Sequence, residues 1–266
     1  MNSFICFRMV VALTFVIAIK SKNGIVFASD MQATDDYDLK YKVKKILNIN
    51  NNMLVGFAGD MWFAKRLYEV LKTQFKKESE KGFDEPSAER LANTIGVKIA
   101  EETNLREKLK MEKDFSGADM IIATINKQGE LGLLTMDSSC IPDIEYESGF
   151  TCIGNADHVI HPFIRSILEK VELDDLSLRD MEVIACRAVI EAHKWVNEVG
   201  EGIDMWTLSK EKGAVHLGKF EIDSLINQVE YWKSLEHRGF QLIRDRIKGG
   251  KFLRTGPGPE LQKNKM

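Results

Sequence analysis

The chain has 266 residues and lacks most of the features that would place it in a special class. Its four cysteines, Cys6, Cys140, Cys152 and Cys186, form no CxxC pair, and none has a histidine at metal-ligand spacing. A disulfide framework and a zinc site are therefore not expected, and the thiols suit a reducing compartment. There is no dense Lys/Arg run; Lys44-Lys45 is too short for a phosphate-binding patch, and the net charge of −3 gives no attraction to nucleic acid. No apolar run is long enough to cross a bilayer comfortably. The nearest, Phe4 to Ile19, is interrupted by Arg8 and has no small-x-small cleavage site before a polar start. Membrane insertion and secretion are not expected, and a cytoplasmic location is. No cofactor or metal is implied.

What is present is ordinary globular composition, 44% hydrophobic and 29% charged, in a chain long enough for one large domain with a two-sided core or two small ones. The β-branched run from Val10-Val11 to Ile19 reads as a buried strand, and Met9 is an alternative start. Thr14–Lys20 and Ile25–Ser29 flank Asn23-Gly24, a hairpin signal. Asp35–Leu39 is a polar loop. Lys45–Ile49 and Met53–Phe57 make a second hairpin around Asn50 to Asn52. After Gly59-Asp60, with Asp60 able to cap, Phe63, Leu67, Tyr68, Leu71 and Phe75 share a helix face. A second helix begins near Pro86, with Ala88, Leu91, Ala92, Ile95 and Ile99 as its stripe. Asp119–Ile125 and Glu130–Met136 form a hairpin, and Ile144–Ile153 is expected to continue that sheet. Two helices follow, marked by Val159 to Leu168 and Met181 to Trp195. Asp204–Ser209 and Ala214–Gly218 close the pattern. The order is strands, two helices, strands, two helices, strands. That order excludes the alternation of a parallel α/β fold. It predicts an α+β fold, a four-layer αββα sandwich of two mainly antiparallel sheets with helices on both outer faces. Beyond Gly218, Ile222 to Ile247 reads as an amphipathic helix with a break near Gly239, and Gly249 to Met266, with Gly-Pro-Gly-Pro, as a disordered tail.

Particular segments carry a resemblance. "TFVIAIKSKNGIVFASDMQAT", "YKVKKILNI", "LVGFAGD", "LLTMD", "CIGNA" and "GIDMWTLSKEKG" follow in the order and at intervals found in proteasome β subunits, from Thr14 to Gly218. The chain thus resembles that family of N-terminal-nucleophile hydrolases as a divergent member. The resemblance implies residues 1–13 as a propeptide or N-terminal extension, 14–219 as the hydrolase domain, 220–248 as a helical extension and 249–266 as a tail. It implies Thr14 as nucleophile once the preceding segment is removed, its freed α-amine as base, Lys45 beside the hydroxyl, and Asp30 as the acid paired with Lys45. The backbone N–H of Gly56 is the implied oxyanion donor, Leu54 and Gln32 the implied substrate-pocket residues, and Asn155 a weak support. A threonine hydroxyl needs such a base, and an α-amine titrating near 8 suits neutral pH.

The chain also departs from the family pattern. Leu13 stands where a glycine usually precedes the nucleophile. The Gly-Ser-Gly turn reads Gly154-Asn155-Ala156, and an ungapped match puts Val196 and Val199 where the family has an Asp and a Ser. Asn197 would substitute if the register slipped by one. Three functions follow. The first is a threonine endopeptidase subunit of a compartmentalised homo-oligomeric ring, acting on peptide or unfolded protein, with an ATP-dependent unfoldase as possible partner. The second is a non-catalytic ring subunit, favoured by Leu13, Asn155, Val196 and Val199. The third is an amidase or transpeptidase using the same acyl-enzyme.

Overall fold

The computed structural model describes residues 11–12, 14–34, 40–74, 118–126, 128–137, 142–144 and 149–248, and separate helical positions between 93 and 108. Two compact units divide it, residues 1–226 and 227–266. The elements are β1 (Val11–Ala12), β2 (Phe15–Ser21), β3 (Gly24–Asp30), β4 (Gln32–Thr34), β5 (Lys40–Lys42), β6 (Ile46–Asn50), β7 (Met53–Asp60), α1 (Met61–Gln74), β8 (Ala118–Ile125), β9 (Leu131–Met136), β10 (Pro142–Ile144), β11 (Phe150–Gly154), α2 (Asp157–Leu168), α3 (Leu178–Trp195), β12 (Ile203–Ser209), β13 (Gly213–His216) and α4 (Lys219–Lys248).

The first unit is built on two antiparallel sheets. One has five strands in the order β11-β2-β3-β12-β13. The other has six, β1-β7-β8-β9-β10, with β6 also on β7. Between them lie Val16, Ala18, Ile25, Phe27, Leu54 and Ile121, all fully buried. β2 and β3 are buried on both faces, so their sequences run apolar without alternation. The outer face of the five-stranded sheet carries α3, with α2 packed on α3 and β11; α1 covers β6, β7 and β8. The fold is thus an α+β sandwich with helices outside both sheets. Leu91 and the rest of the helical stripe expected after Pro86, like Asp35–Leu39 and the tail from Gly249, lie outside the described residues.

Three local features correct the sequence reading. The stretch 144–153 does not continue one sheet. β10 ends on β9 in the six-stranded sheet, and β11 begins at the edge of the five-stranded one. Between them Gly149 takes φ +66°, where a Cβ would meet Leu173. Residues flanking the polar loop pair as a ribbon, β4 with β5. Last, α4 passes through Gly239 without a break. A single helical glycine costs about 1 kcal/mol against alanine, too little to interrupt 30 residues.

Candidate active site

The site forms where β2 begins, β3 ends and the chain enters β6. Asp30 is the last residue of β3 and is fully buried. Its Oδ1 accepts a hydrogen bond from the Phe15 N–H at 2.9 Å and one from the Lys45 ammonium at 2.6 Å. Its Oδ2 accepts from the N–H groups of Gln32 at 3.2 Å and Gly200 at 3.0 Å. One carboxylate therefore ties together the start of β2, the β3–β4 corner, the lysine and the segment between α3 and β12. A carboxylate holding this many donors is a strongly fixed group.

Lys45 is fully buried too. Desolvation lowers its pKa from 10.5 to about 8, and the charge and hydrogen bond of Asp30 act in the opposite direction. The lysine is thus near balance between ammonium and amine at mildly alkaline pH. Its carbonyl accepts the Phe57 N–H at 2.9 Å, which fixes its backbone to β7.

Thr14 immediately precedes β2 and is fully buried. Its Oγ1 has no hydrogen-bond partner among the described residues. Its carbonyl accepts the Asn155 N–H at 2.8 Å. That bond depends on Gly154, at φ +97°, because a Cβ there would sit 2.1 Å from the Thr14 carbonyl oxygen. The structure thus brings Asp30 and Lys45 into direct contact and fixes Phe15, next to Thr14, on the same carboxylate.

The other expected residues fall around this core. Gly56 lies within β7, opposite Ile46 of β6 and Ile121 of β8. A Cβ on it would come within 2.7 Å of Val16 Cγ1, so close sheet packing already demands glycine there. Leu54 is fully enclosed between the sheets, so a substrate side chain would meet it only after its neighbours shift. Gln32 is half-buried and lies against Gly200. The Asn155 side chain is exposed, and only its backbone touches Thr14. Val196 and Val199 are buried, whereas Asn197 faces solvent and does not take the place of an inward polar residue. Sequence reasoning missed the Gly200 N–H and Gly154. The first is a backbone group without side-chain signature; the second was noted only as part of a turn. Among the described residues no cluster of His, Cys, Asp and Glu could hold a metal ion. Among them also, no helix is long and apolar enough to cross a membrane.

The family model for the proteasome subunit matches residues 13–208. A proteasome subunit beta of Methanopyrus kandleri is 25% identical over 215 residues, covering 80% of this chain and 95% of the relative. Proteasome subunit beta 2 of Sulfolobus acidocaldarius is 27% identical over 200 residues, 74% of this chain and 89% of the relative. Among solved structures, the Anbu (Gly-1) mutant from Hyphomicrobium sp. strain MC1 superposes with a TM-score of 0.67 at 14% identity, covering 86% of this chain and 96% of that one. At that identity the likeness speaks for the fold alone.

Proposed function

The chain belongs to the proteasome subunit family, and on that premise we propose that it is a threonine-type peptidase subunit of a compartmentalised ring. The observation that carries this reading is the buried Lys45–Asp30 contact at 2.6 Å, with the same Asp30 oxygen holding the residue after an enclosed threonine hydroxyl. A buried ion pair is a weak device for stability. Tied through Phe15 to the residue that bears an unpartnered hydroxyl, it suits activation of a nucleophile.

The proposed chemistry begins with release of the segment before Thr14. Two candidate bases then share the site, the new α-amine, ordinarily near 7.7–8.0, and Lys45, which burial lowers to about 8 in the uncleaved chain. With one proton between them, the neutral member takes the hydroxyl proton and the charged one stabilises the alkoxide. The Thr14 oxygen attacks the peptide carbonyl carbon, the C–N bond breaks, and the leaving amine takes the proton. Water then cleaves the ester and restores the hydroxyl. The Gly56 N–H is the proposed donor to the developing oxyanion.

The segment before Thr14 supports a peptide substrate. Val11 pairs antiparallel with Asp60 and Ala12 with Gly59, so this edge of β7 accepts an extended chain. Leu54 and Gln32 remain the proposed side-chain selectors, Leu54 after local movement. Peptide or unfolded protein is the proposed substrate, an ATP-dependent unfoldase the proposed feeder, and a cytoplasmic homo-oligomeric ring the proposed setting.

A second reading, a non-catalytic ring subunit, is favoured by Leu13 before the nucleophile and by buried Val196 and Val199 where the family has polar support. Hydrolysis of fluorogenic peptides by the purified protein separates the two. Turnover that Thr14→Ala abolishes supports the peptidase; turnover unchanged in Thr14→Ala, or none from protein that begins at Thr14, supports the scaffold.

A further inference from the structure

The second compact unit is the part of the chain that the proposed chemistry leaves unused. Its described part, residues 227–248, is helical. Tyr231, Leu235, Phe240, Leu242, Ile243 and Ile247 are all exposed there, Leu242 at 66% and Phe240 at 63%. At 3.6 residues per turn these six cover about half of the helix circumference. Arg246 and Glu236 share that half, but an apolar face of that width, uncovered among the described residues, is a candidate contact surface. The other half of the circumference is charged, with Arg238 and Arg244 exposed beside Glu230 and Asp245.

Charge identifies the partner. Residues 227–266 hold nine Lys or Arg against four Asp or Glu, a net charge of +5. The whole chain is −3, so residues 1–226 carry −8. The basic apolar arm and the acidic body are complementary, and every copy of the chain has both. An anionic lipid surface is disfavoured by the same numbers, because it would attract the arm but repel a body of −8.

We propose that the 227–266 arm of one copy docks, through the apolar face of its helix, on the acidic body of a second copy and so clamps adjacent subunits. This rests on the ring-subunit reading above and names the element that holds neighbouring copies together. The arrangement is heterologous: the arm is one surface and the body another. Such contacts propagate from copy to copy and close into a ring where the rotation allows.

The test uses the full chain. In analytical ultracentrifugation the wild-type protein should assemble, and assembly should weaken as salt is raised. The double variant Leu235→Gln/Leu242→Gln and the charge-reversed Arg244→Glu/Arg246→Glu should each weaken it at least tenfold. The substituted side chains are exposed, so folding is retained, checked by an unchanged far-UV circular dichroism spectrum. In a mixture of unlabelled and heavy-nitrogen chains, carbodiimide cross-links from arm lysines to body carboxylates should join light to heavy peptides. Variants that assemble like wild type, or cross-links confined to peptides of one label, overturn the arm while leaving the ring reading in place. A monomeric wild type defeats both. Co-sedimentation with phosphatidylglycerol vesicles without mixed-label cross-links overturns the proposal in favour of a lipid surface.

Discussion

Lys45 donates to Asp30 Oδ1 across 2.6 Å with both side chains fully buried, and the same oxygen holds the Phe15 amide. Removing the carboxylate strands a buried lysine and three backbone N–H donors at once. Asp30→Ala is expected to destabilise the protein by about 3–5 kcal/mol, the usual cost of breaking a buried pair from one side. Urea unfolding measures it; a loss under about 1 kcal/mol would show that Asp30 is not a hub.

Activity should depend on pH in a bell shape centred near 8. The acid limb marks loss of the first proton from the pair formed by the α-amine and Lys45, and the alkaline limb loss of the second. Asp30 raises the Lys45 pKa, so Asp30→Asn should move the alkaline limb to lower pH and weaken turnover strongly. Lys45→Ala should abolish turnover. The pH dependence of kcat/KM tests the set, and a limb that stays in place in Asp30→Asn contradicts the coupling. For stability the sign is separate. The folded pKa of Lys45 is below its unfolded value of 10.5, so its contribution rises with pH between about 8 and 10.5.

Two glycines should behave in opposite ways. Gly154→Ala forces a left-handed backbone on alanine and places a Cβ 2.1 Å from the Thr14 carbonyl oxygen. A loss of about 1–3 kcal/mol is expected, with activity lost through displacement of Thr14. Gly239→Ala lies within a helix and its Cβ meets nothing within 4 Å. Its expected effect is a gain of up to about 1 kcal/mol. Thermal melts of the two variants check both signs.

Gly56→Ala should cost about 1–3 kcal/mol from overpacking, since its Cβ would press Val16 Cγ1 at 2.7 Å between the sheets. If the Gly56 N–H also serves the oxyanion, kcat should fall by more than the folded fraction does. Equal losses, measured on the same preparation, would reduce Gly56 to a packing residue.

The sandwich was legible because its signals are local. Asn23-Gly24 marks the β2–β3 turn, where Ser21 Oγ accepts the Asn23 N–H at 3.1 Å, and both strands read as continuous apolar runs. The β4–β5 ribbon was missed because its three-residue strands are too short for a period. The passage from β10 to β11 was missed because both segments look like strand and nothing in composition says which sheet each joins. At the site, Asp30 and Lys45 were found through resemblance, for a single Asp or Lys has no pattern of its own. The Gly200 amide and the Gly154 turn act through backbone geometry, which appears only once distant segments meet.

The central claim is that Thr14 works as a freed N-terminal nucleophile, and a peptide epoxyketone tests it most directly. That warhead closes a ring with both the hydroxyl and the free α-amine. Mass spectrometry of the treated protein should show a chain beginning at Thr14 and carrying one inhibitor on that residue. A folded chain that begins at Thr14 yet takes no adduct, or one that keeps Leu13 under conditions where peptide is turned over, would contradict it.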